Sequence, residues 1–526
     1  MTYMMRYRRM SKGKLIYLIY QKDFSEKGKD RYFFYEDGIF SEVDSHTVVS
    51  TECFIVTHDF WIIANSLYME HHRLPPKVID VVLLEKIVHG KKPVAGDLQP
   101  WDISVSIKPL FTDVNDFISY SEMYYRRREL VFDIYMLFSH KLSEYFDLLS
   151  EKAVKSGEAS RFYQLELPLF NMLTLASCKG IRVDNSIVRN HKNKIQLDFY
   201  RELKKFSEKH NVLYELPNEG AIREKLSNLG YSVEDYTLDF LMDFLPAKND
   251  YTDDLRNLQK INKSFRFFNA ISCNTGRLKP IVESHWTSTS RIYHKSPTIQ
   301  NISKVYRDIF IPDDGKYLCY VDYDQFEVGV MAALSSDPKM KEIYKNSDAY
   351  KDFALNVFGD ENMRSKAKKI FLSYTYGMSI NNILQSVQQM KGNKKTARDY
   401  LSEFTVFESW KSSIYKEFNK NGRVGTINGN YLNRNLEGQL TEKEKRQAVS
   451  HVIQGTATYI FKKSILKLSK VEGIDILIPM HDAVLFQHTN KTDSNKAKEI
   501  FENVMTEILP SVTGKASLED FYVTIN

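Results

Sequence analysis

Runs of strand length and runs of helical period alternate along the chain, and their order predicts several distinct units. LIYLIY (15–20), RYFFYEDGIF (31–40) and CFIVTHDFW (53–61) are β-rich and interrupted by helical stretches, so residues 14–110 read as an α/β unit. Residues 116–160 turn helical and charged. LELPLFNMLTLASCKGIRVD (165–184) predicts an amphipathic helix from about Gln164 closed by Gly180, then a short extended piece. Residues 185–270 are predicted strongly helical and are rich in Lys and Arg. Strands resume near 280–325, a helical insertion covers about 340–420, and a helix leads into a β-hairpin at 474–487. The fold class is therefore α+β, with more than one domain.

Two of the strand-like runs carry an aspartate where the strand turns. LCYVDYDQFE (318–327) delivers Asp322 and DILIPMHDAVLF (475–486) delivers Asp482. A carboxylate beside an apolar run is costly to bury unless something positive compensates it. Two of them about 4 Å apart would repel by roughly 4 kcal/mol at an effective dielectric near 20. A divalent cation reverses that sign, and two metals clamped by carboxylates are a common apparatus for phosphoryl transfer. Taken singly, each aspartate is more ordinarily a turn residue. What lies between them changes the picture.

Composition narrows the classes. At 526 residues the chain exceeds one core, and 43% hydrophobic content excludes a mostly disordered protein. The net charge is only +6, from 73 Lys+Arg against 67 Asp+Glu, so any nucleic-acid surface must be local. Basic clusters stand at RYRR (6–9), YRRR (125–128) and Arg364–Lys369. Four scattered cysteines without a C-x-x-C argue against a disulfide framework or a zinc site and suit a reducing cytoplasm. The short run after the basic N-terminus lacks a cleavage site and reads as a strand, and nothing reaches membrane-spanning length.

Three segments carry candidate chemistry. On the helix predicted for Asn362–Tyr376, ended by Gly377, the residues Arg364, Lys368, Leu372 and Tyr376 recur every fourth position and form one stripe. A solvated basic face is its plainer meaning; cations for a polyphosphate, with an apolar and aromatic end for a base, is the sharper one. The polar loop TSTSRIYHKSPTIQNIS (287–303) offers Arg291, Gln300 and Asn301, donor types that reach sugar and minor-groove acceptors, though an ordinary loop would look the same. KEKRQAVSHVIQGTATYIFKK (443–463) is a helix presenting Arg446, Ser450 and Gln454 at four-residue spacing.

In order, these segments resemble the signature set of family A DNA polymerases, the class of bacterial DNA polymerase I. VDYDQFE resembles the first palm motif, and RSKAKKIFLSYTYG the fingers motif R-x-x-x-K followed by an apolar residue and YG. RQAVSHVIQGTA is similar to the helix ending in QGTA, and MHDAV to the HDE turn. TSTSRIYHKSPTIQNIS and LELPLFNMLTLASCKGIRVD match two further segments, so the resemblance spans roughly 160–526. It implies a right-hand polymerase of palm, fingers and thumb, preceded by an α/β ribonuclease H-like domain of exonuclease type. The implied partition is 1–115 degenerate exonuclease-like domain, 116–160 helical connector, 161–190 start of the core, 191–278 thumb, 279–340 and 441–526 palm, and 341–440 fingers.

The resemblance also implies roles. Asp322 and Asp482, with the Tyr323 carbonyl, would bind two Mg²⁺, with Mn²⁺ an acceptable substitute. Arg364 and Lys368 would grip the triphosphate, Lys368 also giving a proton to pyrophosphate. Leu372 and Tyr376 would pack near the incoming base, Gln325 and Tyr350 would line the nucleotide site, and Glu327 would crowd the sugar 2′ position. Arg291, Gln300, Asn301, Arg446, Gln454 and His481 would meet primer–template DNA, and Arg256, Lys260 and Lys263 would track its backbone. The implied partners are primer–template DNA, dNTPs and unspecified replication or repair proteins; the expected state is a cytoplasmic monomer of bacterial, phage or plasmid context.

Departures stand beside these matches. Ala483 replaces the glutamate of HDE, Ser450 an asparagine, Thr298 another, Tyr350 a histidine, Ser290 a glycine and Gly329 an arginine. Before residue 160 there is no Asp-x-Glu; in FIVTHDFWIIANSL (54–67) Ile62 stands where an aspartate is expected, and Tyr120–Tyr124 leads into arginines. Asp80 is a leftover landmark or an ordinary helix cap. Proofreading and a 5′-nuclease domain are therefore expected to be absent. The competing readings are a polymerase homologue with impaired catalysis, a single-subunit RNA polymerase, which Glu327 and Tyr376 disfavour, and an HD-type phosphohydrolase, which would need further metal ligands on helices.

Overall fold

The computed structural model describes residues 14–23, 29–89, 103–113, 115–116, 131–229, 238, 242, 250–434, 436–490 and 492–522. The basic clusters at 6–9 and 125–128, and the segment Tyr120–Tyr124, lie outside them.

The N-terminal unit is a five-stranded mixed sheet. Leu15–Gln21 lies at its centre, antiparallel to Arg31–Glu36, which pairs antiparallel with Ile39–Val43. Asp37 and Gly38 close that hairpin at φ of 48° and 83°, the left-handed pair whose twist matches the flanking strands. On the other side Phe54–Thr57 and Val78–Asp80 add in parallel, which requires a crossover, and helix Trp61–His71 supplies it. Helix Phe132–Ser156 buries Tyr135, Phe138, Leu142, Phe146 and Leu149 in the same apolar cluster as this sheet. The described part of the expected connector is thus packed into the N-terminal core. An isolated helix with a hydrophobic stripe of this kind must find such a partner surface.

The C-terminal unit is built on a four-stranded antiparallel sheet in the order Ile474–Met480, Ala483–His488, Tyr317–Tyr323, Ala516–Glu519. Both faces are covered. Val321, Tyr323, Val484 and Phe486 join the large cluster formed with helices Phe326–Ser335, Glu442–Leu468 and Thr492–Ile508. Tyr320, Leu485, Ile478 and Met480 pack on the opposite side with Ile299, Phe310 and Phe268. Six α-helices between Pro338 and Asn421 form the insertion expected at 340–420. Helices Asn185–His210 and Asp250–Asn269 pair around Phe199, Leu203, Phe206, Leu255 and Leu258.

Local details depart from expectation at three places. The helix predicted from Gln164 is a π-helical turn over Phe162–Glu166 before it becomes α-helical at Leu167–Lys179. The hairpin Arg423–Thr426 with Gly429–Asn433, and the strand Ala516–Glu519, were not expected. No described helix is long and apolar enough to cross a membrane.

Candidate active site

The strand Tyr317–Tyr323 pairs with Ala483–His488 so that Asp322 lies directly opposite Ala483, the residue after Asp482. Neighbouring strands stand about 4.8 Å apart, so the register alone brings the two aspartates together. Met480 pairs with Ala483, leaving His481 and Asp482 as a two-residue turn. His481 holds φ at +57°, a left-handed conformation that costs a non-glycine residue of order 1–3 kcal/mol and recurs at functional sites.

Among the described residues no group within hydrogen-bonding distance donates to either carboxylate, and neither forms an ion pair. Burial, then the charges of Asp482, Glu519 and Asp324, push the Asp322 carboxyl up to about 7, against a smaller opposing effect of Lys368. Asp482 is raised by burial, opposed by Arg291 and Lys368. Both open on a cleft of about 700 Å³ that Glu327, Tyr350, Arg364 and Lys368 also line.

The cations come from helix Arg364–Thr375. Its C-terminal turn is closed by Gly377 at φ +94°, with Met378 N–H bonded to the Ser373 carbonyl. The Arg364 guanidinium donates twice to one Asp348 oxygen, at 2.9 and 2.7 Å, and the Asp348 side chain also caps helix Ala349–Phe358. Tyr350, on that capped helix, offers its ring to both cations, 5.4 Å from Arg364 and 5.3 Å from Lys368. Gln325, at φ +49°, donates to the Ser347 carbonyl at 3.1 Å and accepts from Ala349 N–H at 2.7 Å. The turn after Asp322 is therefore tied to the helix that carries Tyr350.

Beyond the aspartates, Arg291 meets Glu327 at 3.3 Å. Burial first, then Asp482, raises the Glu327 carboxyl; burial and Glu327 push the Tyr376 hydroxyl far up, and that hydroxyl lies toward Gln454. A second cavity of about 1100 Å³ is lined by Arg291, Leu372, Tyr376, Arg446, Gln454 and Trp286. Arg291 lines this one and Glu327 the first, so their ion pair joins the two spaces.

Several expected site residues are placed elsewhere. Gln300 is buried, donates to the carbonyls of Ile292 and Pro479 at 3.1 and 3.0 Å and accepts from His294 N–H, so it pins the 287–303 loop to the hairpin. Arg256 donates to the Met242 carbonyl and to Asp253, tying its own lobe together, whereas Lys260 and Lys263 are exposed on the same helix and Asn301 is exposed at the end of a 3₁₀ turn. The Tyr323 side chain points away from the cleft, its hydroxyl bonded to Ser464 and the Phe501 carbonyl, which leaves only its main chain for the site. Asp348, Glu519 and Trp286 were missed. A lone acidic residue at a helix start reads as a cap, and the strand that brings Glu519 beside Asp322 is only four residues long.

The model of DNA polymerase family A matches residues 185–519, more than half the chain. The chain belongs to that family. It is 26% identical over 313 residues to DNA polymerase I of Caldicellulosiruptor bescii, covering 53% of this chain and 36% of that protein. Against the thermostable DNA polymerase I of Thermus aquaticus the identity is 28% over 261 residues, covering 45% and 31%. DNA polymerase I of Aquifex aeolicus is 23% identical over 459 residues, covering 81% and 76%. The chain thus matches about a third of the length of the first two of these relatives. In fold it resembles the POL domain of Pol1 from M. smegmatis, in complex with DNA primer-template and dNTP, at a TM-score of 0.73 over 98% of this chain and 96% of that one, with 17% identity.

Within family A, the departures of this chain now have positions. Ala483 faces Asp322 across the strands and packs in the apolar cluster with Met480 and Leu485. At Gly329 an added Cβ would collide with Met505 and Tyr344 at 2.6 and 2.7 Å, so the surroundings leave no room for a side chain there. Ser450 lines the larger cavity beside Gln454.

Proposed function

We propose that this chain is a template-directed DNA polymerase that adds deoxynucleotides to a primer 3′-hydroxyl and does not proofread. The observation that carries the reading is the strand register that sets Asp322 beside Asp482, across one cleft from Arg364 and Lys368. Asp322 and Asp482, with the Tyr323 carbonyl, would hold two Mg²⁺, or Mn²⁺ in their place. Two partnerless carboxylates whose protons are held by burial, and at Asp322 also by the charge of Asp482, suit a cation. Mg²⁺ held by two carboxylates is ordinarily completed by water and substrate phosphates. The ions, when bound, activate the hydroxyl and neutralise the triphosphate.

The chain's own residues do the rest. Lys368 holds a proton for the departing pyrophosphate, and Arg364 exchanges Asp348 for phosphate. Tyr350 keeps both cations over its ring. Glu327, walled in by Tyr376, leaves no room for a 2′-hydroxyl. Leu372 and Tyr376 receive the base, Arg291, Arg446 and Gln454 meet the minor groove, and Lys260 and Lys263 follow the backbone. The absence of proofreading is supported by Asp80, whose oxygens are taken up by the N–H groups of Phe60 and Val82, and by the apolar, half-buried Ile62.

Primer extension with Mg²⁺ tests the reading. Wild type should extend with dNTPs far better than with NTPs, and Asp322→Asn and Asp482→Asn should each abolish extension. No extension by wild type would leave the impaired homologue, which Ala483 favours, as the better reading. Trimming of a 3′-labelled mismatched primer would overturn the claim about proofreading.

A further inference from the structure

Ser290 stands where the backbone is left-handed, at φ +63°, and it is buried. An L-residue seldom adopts that conformation without something to hold it. Here the hold is its hydroxyl. Lys462 donates to the oxygen at 2.5 Å, the hydroxyl donates to Glu166 at 3.0 Å, and His285 Nδ1 lies 2.8 Å away. The His285 ring is kept neutral by burial and by the cations Arg161 and Lys462.

The partners are themselves locked. Lys462 donates to both Glu166 oxygens, at 2.9 and 2.7 Å, and Arg161 donates to Glu166 at 2.9 Å and to Glu158 at 2.6 Å. Glu158 in turn accepts from Tyr431 N–H at 3.0 Å. Every side chain in this chain of bonds is at most 5% exposed. Buried ionic networks of this kind specify one arrangement more than they add stability.

The next residue is Arg291. Its N–H donates to Thr287 Oγ1 at 3.1 Å and its carbonyl accepts from Trp286 N–H at 3.0 Å, so the loop closes on itself and the Ser290 torsion sets where the Arg291 side chain leaves. That side chain reaches Glu327, and its charge acts on Asp482. We propose that Ser290 is a positioning residue: fastened through its hydroxyl to Lys462 and Glu166, it holds the backbone that aims Arg291 across the end of the primer, and so sets how strongly the enzyme rejects a mispaired terminus. This rests on the polymerase reading above.

The experiment uses the full chain and primer–templates with matched or mismatched termini. Ser290→Gly removes the hydroxymethyl group and keeps the left-handed backbone accessible; Ser290→Ala removes only the hydroxyl, leaving a Cβ on the left-handed backbone without its tether. Both should lower kcat/KM on a matched terminus by about tenfold and shrink the matched-to-mismatched ratio, mainly through kcat. In an Arg291→Ala background the same changes should alter kcat/KM by less than about twofold, because the path through Arg291 is already gone. Wild-type kinetics in Ser290→Gly, or effects that multiply fully with Arg291→Ala, would overturn the inference. So would a loss of melting temperature in either variant without a change in the ratio. If Ser290→Ala fails to fold, Ser290→Gly decides alone. A wild type that extends no primer overturns the polymerase reading and this inference together; an active wild type with an indifferent Ser290→Gly overturns the inference alone.

Discussion

Asp80 and Asp322 sit at similar places in the two halves of the molecule, each at the end of a strand whose apolar run is buried. Burial raises both carboxyls, and each also feels an acidic neighbour, Asp59 for the one and Asp482 for the other. Their oxygens have opposite fates. Asp80 accepts from Phe60 N–H and from Val82 N–H, each at 2.9 Å, and so fixes the starts of helices Trp61–His71 and Val81–His89. Asp322 accepts from no described group and faces a cleft with two cations on its far side. An acidic strand end therefore marks a site only when its oxygens are left for something outside the fold. The carboxylate turned inward is a structural fastener.

The largest effect should come from exchanging the two. Asp322→Asn should reduce primer extension at least about 10³-fold with the fold intact, whereas Asp80→Ala should leave extension within about threefold and cost about 1–3 kcal/mol in urea unfolding, the desolvation of two abandoned N–H groups. A catalytic loss from Asp80→Ala, or a merely thermal effect from Asp322→Asn, would undo the contrast.

The pH dependence of stability is the next test. The folded carboxyl of Asp322 lies near 7, above its unfolded value of about 3.9, so the folded state binds the extra proton between them. Its favourable effect is complete below the unfolded pKa and is lost as pH rises through 7. Without divalent cation, the wild type should lose up to about 4 kcal/mol relative to Asp322→Asn between pH 4 and 8, less what solvent in the open cleft screens away. Millimolar Mg²⁺ should cancel much of that loss in wild type and do nothing for the variant. Equal slopes in chemical denaturation would show that the two aspartates do not share a field.

The smallest effect concerns the helix Asp250–Asn269. Lys263→Ala should weaken primer–template binding a few-fold and lower the salt slope by about one unit, as expected for one phosphate contact. Arg256→Ala should leave the slope unchanged and lower the melting temperature. Fluorescence anisotropy across a salt series separates them.

How much of this could be read from the chain alone follows the range of each interaction. The hairpin carrying Asp482, the strand carrying Asp322 and the stripe from Arg364 to Tyr376 all announce themselves through local period, and the structure places them as expected. The strand Ala516–Glu519 does not, since an alternation of Ala, Ser, Leu and Glu over only four residues is too short to stand out. Gln300 and Arg256 look like DNA contacts because their residue types are right; that they are held internally depends on Pro479, 179 positions away, and on Met242. The pairing of Glu166 with Lys462 spans 296 positions and leaves no local trace.

Asp348 occupies the Arg364 guanidinium. It works as an internal decoy, an anion the protein carries for its own cation. A small ion with one negative charge would have to displace a carboxylate of equal charge that is tethered in place, and would gain little. A chain of three phosphates brings more charge than the decoy and can engage Lys368 in the same motion. On the proposed polymerase reading the pair would act as a threshold, closed to common anions and open to a polyphosphate, while the Asp348 side chain still caps its helix.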